Sequence, residues 1–125
     1  MKQFLIALFL LPSLVFAQDM AGLNKALNSG DVNALGAYFD ETIELSILEE
    51  EGMYNKSQAV QKVRRFLNQN TVQSFTEMHQ GASRSSDSQY VIGNMKTSGG
   101  TYRVYLYLAK SNGKLIIQEF RFDSE

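Results

Sequence analysis

His79 is the single histidine of the chain and the side chain best suited to proton transfer near neutral pH. It lies in a segment that reads as a strand. It could act as a general base or pH sensor if that strand turns it inward; the alternative is a histidine at the rim of the sheet. One histidine, no cysteine and no compact carboxylate cluster on a rigid element fall short of the ligand set of a metal site. We therefore expect no metal and no cofactor.

The first 17 residues have the pattern of a secretory signal peptide. Lys2 supplies the positive charge, residues 4–11 form an apolar run too short to span a bilayer, and the small residues Val15 and Ala17 precede the cleavage site. We expect cleavage near Ala17–Gln18 and a periplasmic or secreted protein.

Residues 18–125 are long enough for a single domain with one core. The formal net charge is −1, and removal of Lys2 makes it more negative, which disfavours nucleic acid and anionic membranes as partners. Absence of cysteine excludes disulfides and a lipid-modified anchor, and no second apolar run is long enough for a membrane anchor.

Helical spacing predicts three helices. The first covers 19–28 and ends at Gly30; Asp31 caps the second, which has Phe39 on its apolar side. Ser57 is expected to cap the third, whose apolar stripe comprises Ala59, Val60, Val63, Phe66 and Leu67. We expect solvent to cover its polar side, formed by Gln61, Lys62, Arg64, Arg65 and Asn68.

Alternating apolar and polar residues predict strands in the remaining segments. A strand begins at Glu41, turns at Glu49–Gly52 and is followed by a short strand through Met53–Tyr54. After the third helix, a four-stranded meander is expected over residues 72–82, 89–97, 101–110 and 115–123. The order is two helices, a hairpin, a helix and a meander.

The turns of the meander determine which side chains face the helices. A three-residue loop at 111–113 pairs Lys110 with Lys114, and a Gly99–Gly100 turn pairs Ser98 with Thr101. We prefer this register to a two-residue Asn112–Gly113 turn because it separates apolar from charged residues. The inner face then comprises Val91, Gly93, Met95, Thr97, Tyr102, Val104, Leu106, Leu108, Ile116, Gln118, Phe120 and Phe122. For the strand over 72–82 two orientations stay open: Phe75, Glu77 and His79 inward, or Thr76, Met78 and Gln80 inward.

The outer face of this meander is unusually apolar for a solvated surface. It comprises Tyr90, Ile92, Asn94, Arg103, Tyr105, Tyr107, Leu115, Ile117, Glu119 and Arg121. A large apolar patch often marks an interface, so we interpret this face as a homodimer surface; the alternative is a monomer with an amphipathic outer face. The candidate interface residues are Tyr90, Ile92, Tyr105, Tyr107 and Ile117.

The order of elements, together with the segments Tyr38-Phe39-Asp40 and 113–123, resembles the nuclear-transport-factor-2-like superfamily. The chain looks most similar to a small exported bacterial family of unknown function within it. The resemblance implies an α+β cone, in which helices pack in a strongly curved, mostly antiparallel sheet, often with a cavity at the open end and a dimer through the outer face. It covers residues 18–125 as a single domain.

The resemblance also makes catalysis an alternative function, because enzymes of this superfamily place a carboxylate or histidine inside the cone. An isomerase- or dehydratase-like enzyme would use His79 or Asp40 as general base. The inner face, however, offers Gln118, Tyr102 and Thr97, none of which is a base, and an aspartate at a helix end more often caps a turn. We identify no catalytic residue and favour a non-catalytic domain, with the enzyme as the alternative.

Two inner-face residues indicate a ligand cavity. Gly93 leaves space in mid-strand, and a buried Gln118 amide needs a partner. Alternatively, Gly93 accommodates a bulky helix residue such as Phe66, and Gln118 bonds to the backbone. Our hypothesis is an exported domain that binds a small apolar or amphipathic ligand, or a protein partner. Its candidate ligand-binding residues are Tyr54, His79, Gly93, Tyr102 and Gln118.

Overall fold

The computed structural model describes residues 19–82 and 87–125. The predicted signal peptide, residues 1–17, and residues 83–86 of the predicted turn at 83–88 lie outside the described residues. No helix in the described part of the chain is long and apolar enough to cross a bilayer.

Three helices precede or interrupt the strands: α1 over 19–29, α2 over Val32–Ala37 and α3 over Lys56–Gln69. Gly30 ends α1 with a φ of 67°, a left-handed conformation that suits glycine. The Asp31 carboxylate caps α2 by accepting the backbone N–H of Ala34 at 3.1 Å. The position of α1, its end at Gly30 and the capping of α2 by Asp31 match the prediction.

Two predictions about helix ends are wrong. Phe39 does not belong to α2, which stops at Ala37; Phe39 instead begins a strand and is buried. Asn55, not Ser57, is the N-cap of α3. Its side chain accepts the N–H of Gln58 at 2.8 Å, and the Gln58 side chain accepts the N–H of Asn55 at 3.2 Å. This reciprocal capping box starts the helix one residue before Ser57.

In residues 19–82 and 87–125, six strands form one mixed sheet in the order β2-β1-β6-β5-β4-β3. Every neighbouring pair is antiparallel except β1 and β6, which are parallel. The last strand of the domain therefore lies in the interior of the sheet. The strands are β1 (Phe39–Ile47), β2 (Glu50–Asn55), β3 (Val72–Ala82), β4 (Ser88–Thr97), β5 (Gly100–Ser111) and β6 (Lys114–Ser124).

The β1–β2 hairpin turns earlier than predicted. Ile47 pairs with Glu50, so the turn consists of Leu48 and Glu49, and Leu48 adopts a φ of 57°. The predicted turn at Glu49–Gly52 thus becomes the start of β2, which places Glu50 on the strand beside α3.

The β4–β5 turn also differs from the prediction, without effect on the faces of the sheet. Thr97 pairs with Gly100 across a Ser98–Gly99 turn, in place of the predicted pairing of Ser98 with Thr101. The register moves by an even number of residues, and a strand has a side-chain period of two. Val91, Gly93, Met95 and Thr97 accordingly face the core as predicted.

The β5–β6 hairpin follows one of the two candidate registers near its turn and the faces of the other beyond a bulge. Ser111 pairs with Lys114 across an Asn112–Gly113 turn with φ values of 52° and 75°, so the preferred three-residue loop is wrong. A register shift between Tyr107 and Leu108 then places Gln118 in a bulge. Beyond the bulge the predicted faces hold, and Phe120 and Phe122 are fully buried.

Between the turn and the bulge the faces are reversed from the prediction. Leu115 and Ile117, expected on the outer face, are buried in the core, whereas Ile116 and Gln118 are half-buried. The bulge inserts one extra residue into β6, so the side chains before the bulge face opposite to the prediction and those after it face as predicted.

In β3 neither predicted orientation applies along the whole strand. Phe75 is buried and pairs with Met95, but a register shift between Glu77 and His79 follows. His79 then pairs with Ile92, which lies on the outer face, and both Glu77 and His79 are exposed.

The core lies between the three helices and the inner face of the sheet. A cluster of phenylalanine rings occupies its centre: Phe120 stacks on Phe122 with centroids 4.6 Å apart, and Phe39 and Phe66 meet this pair at 6.0 and 5.0 Å. Burying each such side chain contributes about 2–3 kcal/mol to folding. The α+β fold, with helices against a mostly antiparallel sheet, is as predicted.

Candidate functional site

A cavity of about 140 Å³ lies between α3 and the β1–β2 hairpin. Its apolar part is formed by Leu45 and Ile47 from β1 and Phe66 from α3. Polar side chains from β2 and α3 complete its lining: Glu50, Tyr54, Lys62, Arg65 and Gln69.

The helix supplies its lining residues at positions 62, 65, 66 and 69, which recur at the spacing of one helix face. This face overlaps the predicted apolar stripe at Phe66 and extends beyond it to Lys62 and Arg65. Both cations were expected on the solvated side of the helix. The spacing was visible in the sequence, but the early turn of the β1–β2 hairpin, which brings Glu50 opposite the helix, was not.

Lys62 is held at the cavity by two interactions. Its Nζ atom lies 2.6 Å from Oε1 of Glu50 and 4.8 Å from the centroid of the Tyr54 ring. The hydrogen bond to Glu50 raises the pKa of Lys62, and the same bond lowers the pKa of Glu50. Both groups are therefore charged over the whole neutral range.

Arg65 adds a second positive charge to the same rim. It is exposed, and its guanidinium contributes to the lowered pKa of Glu50. Among the described residues no carboxylate forms an ion pair with Arg65 within 4.0 Å. The rim thus carries two cations and one carboxylate above an apolar floor.

The structure brings one of the five predicted ligand-binding residues, Tyr54, to the lining of this cavity. Tyr102 lies outside it: its ring packs on Phe66 with centroids 5.1 Å apart, and its hydroxyl donates to Oδ1 of Asn70 at 3.0 Å. His79 is exposed on β3, four strands along the sheet from β1.

Gly93 does not open space in the core. A Cβ atom at this position would lie 2.5 Å from Cζ of Phe75 and 2.5 Å from the backbone oxygen of Thr76. The ring that fills the space belongs to Phe75 on β3. The alternative that Gly93 accommodates Phe66 of the helix is therefore wrong. Gln118 lies in the bulge and is half-buried, and no buried side-chain nitrogen or oxygen of the described residues lacks a hydrogen-bond partner.

Asp40, the second residue considered as a base, is half-buried in β1. Its Oδ1 accepts the backbone N–H of Glu41 at 2.8 Å. Asp40 and His79 lie on β1 and β3, which are separated by three intervening strands, or about 19 Å along the sheet. Neither residue lines the cavity.

The outer face of the sheet holds a second, shallower depression of about 380 Å³. Tyr90 pairs with Tyr107, and Ile92 with Tyr105, so these four half-buried side chains are neighbours on β4 and β5. Ile117, the fifth predicted interface residue, is fully buried in the core because of the bulge. The depression is lined by Ile92, Arg103, Tyr105, Glu119, Arg121 and Asp123.

Two carboxylates are neighbours on this outer face. Glu44 pairs with Glu119 across the parallel β1–β6 ladder, and Nη1 of Arg121 lies 3.5 Å from Oε2 of Glu119. Burial raises the pKa of Glu119; the adjacent Glu44 adds to the rise and Arg121 opposes it. Burial also raises the pKa of the Tyr105 phenol.

Solved structures of similar proteins share this fold. The chain is 28% identical to a DUF4783 family protein from Bacteroides ovatus, with a TM-score of 0.78 over 84% of this chain and 94% of that one. A DUF4783 family protein from Bacteroides uniformis has the same identity and TM-score, covering 84% and 95% of the two chains. An NTF2-like protein from Cytophaga hutchinsonii is 13% identical, with a TM-score of 0.64 over 89% and 96%.

No curated protein matches the chain. The model of the family described as "Domain of unknown function (DUF4783)" matches residues 20–123, which include every helix and strand except the first and last residues. The chain therefore belongs to the DUF4783 family, a family of unknown function whose fold is NTF2-like, as its sequence predicted.

Proposed function

We propose that this protein is an exported, non-catalytic domain that binds a small amphipathic molecule in the cavity between α3 and the β1–β2 hairpin. The observation that carries the proposal is the lining: an apolar floor of Leu45, Ile47 and Phe66 beneath a polar rim. Such a combination is typical of small-molecule sites, in which apolar surface supplies affinity and a few polar groups fix orientation.

The size of the cavity limits the ligand. A volume of about 140 Å³ is near that of an engineered cavity of about 150 Å³ that accepts benzene. The enclosed part of the ligand is thus a single ring or a short branched chain. Any larger group must extend past the rim towards solvent.

The lining favours binding over catalysis. Of the residues around the cavity, Glu50 alone carries a carboxylate, and its hydrogen bond to Lys62 lowers its pKa. A carboxylate with a lowered pKa is a weak base, whereas general-base catalysis needs a pKa near the working pH. The enzyme alternative would require His79 or Asp40 to reach a ligand, and neither lines the cavity.

Filling the cavity tests the proposal. We expect 2-phenylacetamide, a neutral amphipathic probe, to shift NMR signals of residues around the cavity in the wild-type protein. Ile47→Phe should abolish this binding because Ile47 lines the cavity, whereas Ile92→Phe should retain it. The control is matched, since both isoleucines are half-buried strand residues and Ile92 lies on the opposite face. Equal binding by both variants would place the ligand elsewhere and refute the site.

The outer face supports a second proposal, a homodimer of this chain. The half-buried Tyr90, Ile92, Tyr105 and Tyr107 form its apolar part. The adjoining depression is lined by two arginines and two carboxylates, Arg103, Arg121, Glu119 and Asp123. A two-fold axis places the same patch on both partners, so a surface with both charges can be complementary to itself. A second copy is therefore the occupant that best fits this face.

Sedimentation velocity tests the dimer. We expect the wild-type protein to sediment as a dimer and Tyr105→Glu to sediment as a monomer, because the new carboxylate joins Glu119 in the depression. Leu48→Glu is the control, since Leu48 is an exposed apolar residue in the β1–β2 turn, and it should remain dimeric. A monomeric wild-type protein, or a dimeric Tyr105→Glu, contradicts the proposal.

A further inference from the structure

The residues that line the cavity indicate which charged group its ligand carries. We propose that the ligand is a small carboxylic acid with an apolar body, and that its carboxylate takes the place of the Glu50 side chain on Lys62. This inference rests on the proposed function and specifies the class of molecule that the same cavity binds.

Lys62 already binds a carboxylate in this structure. The Glu50 carboxylate lies 2.6 Å from the Lys62 ammonium at the edge of an apolar cavity. It therefore stands in for an external carboxylate and defines the group that this position accepts. A ligand carboxylate would make the same charge-assisted hydrogen bond.

The two partners of this ion pair differ in exposure. The Glu50 side chain is 67% exposed, whereas that of Lys62 is 29% exposed and lies over the Tyr54 ring. Glu50 can rotate into solvent, where water replaces its hydrogen bond. Lys62 stays in position because the aromatic ring holds its charge. The exchange of one carboxylate for another leaves no buried charge unpaired.

The rim of the cavity carries a surplus of positive charge. Arg65 lies one helical turn after Lys62 on the same face of α3 and has no ion-pair partner among the described residues. Once Glu50 has moved away, both cations face the ligand. A neutral molecule of the same shape would contact the apolar floor but would place no negative charge near these cations.

The arrangement of apolar and charged residues limits the shape of the ligand. Phe66, Ile47 and Leu45 form the apolar part of the lining next to the cations. A ring in this space, joined by one or two bonds to a carboxylate, satisfies both parts of the site. Arylacetic acids and branched short-chain acids have this form.

The experiment compares phenylacetate with its neutral isostere, 2-phenylacetamide, by NMR titration of the full-length protein at low salt. We expect the wild type to bind phenylacetate about fivefold more tightly, as an exposed ion pair with a hydrogen bond would give. Lys62→Met, which keeps the apolar stem, should reduce this preference and leave only the part that Arg65 contributes. Glu50→Gln should increase the preference for phenylacetate over the amide. Lys96→Met, an exposed β4 residue away from the cavity, is the control and should behave as wild type.

The outcomes separate the two proposals. Equal affinity for phenylacetate and the amide, lost together in Ile47→Phe, overturns the carboxylate inference and leaves the cavity as a neutral site. A preference for phenylacetate that is as large in Lys62→Met as in the wild type also overturns it, because another cation would then be responsible. If neither compound binds the wild type, the carboxylate inference fails and the proposed function fails with it.

Discussion

Replacing Gly93 by alanine tests how the centre of the sheet is filled. The new Cβ atom would lie 2.5 Å from both Cζ of Phe75 and the backbone oxygen of Thr76, where ordinary contacts are 3.4–4 Å. A side chain can rotate, but Thr76 is held in the ladder opposite Asn94 and moves only if β3 and β4 separate. Overpacking costs about 1–3 kcal/mol, and overlap with a backbone atom places Gly93→Ala at the upper end.

The reduced freedom of alanine in the unfolded chain offsets part of that loss, by about 0.4–1 kcal/mol. We therefore expect Gly93→Ala to lower the free energy of unfolding by about 2 kcal/mol, and Tm by roughly 10 °C. Urea unfolding followed by far-UV circular dichroism measures the difference directly. In a Phe75→Leu background the same change should cost less, because the ring no longer occupies the space beside residue 93.

Two results would refute this reasoning. A Gly93→Ala variant within about 0.5 kcal/mol of wild type, well below the expected loss, would mean that the space is open. The sequence-based interpretation of Gly93 as part of a ligand cavity would then regain support. An equal loss in the wild-type and Phe75→Leu backgrounds would show that the Phe75 ring is not the obstacle.

Three further predictions concern caps, charge and the hydroxyl of the half-buried Tyr102. Asn55→Ala should cost about 1 kcal/mol of stability and Ser57→Ala much less, since Asn55 makes the capping box; urea unfolding compares them, and equal losses would contradict the cap assignment. Because burial raises the pKa of Glu119, stability should fall as pH rises from the unfolded carboxyl pKa through the raised native pKa, and Glu119→Gln should flatten this decline in urea titrations; an unchanged slope would count against it. Tyr102→Phe should lose about 1 kcal/mol with its bond to Asn70, measured by thermal unfolding, and an unchanged Tm would show that this bond contributes nothing.

The strands and most of their inward faces could be predicted from the sequence because alternation has a period of two. A register error of two residues leaves every side chain on its predicted face, as at the Ser98–Gly99 turn, where the predicted turn position is wrong but the predicted faces are correct. A register error of one residue reverses the faces. The bulge at Gln118 inserts one residue, so Leu115 and Ile117 point inward against the prediction.

The candidate site could be predicted less well than the fold. Tyr54 was anticipated, but Lys62 and Arg65 were assigned to solvent because a helical pattern distinguishes apolar from polar faces and does not show which polar residues meet a neighbouring strand. The position of the β1–β2 turn decides that contact. Since Leu48 adopts a positive φ without being glycine or asparagine, the sequence contains no usual signal for it.

The parallel pairing of β1 with β6 has a consequence for the order of folding. The interior of the sheet is completed by the last element of the domain, so β1 has no partner on one side until β6 has emerged from the ribosome. Contacts between such distant segments slow folding, because the intervening chain must first be brought together. Until β6 has been synthesised, the sheet lacks the strand that joins β1 to β5. The β1–β2 hairpin and the strands β3 to β5 therefore remain two separate sheets until β6 pairs with both.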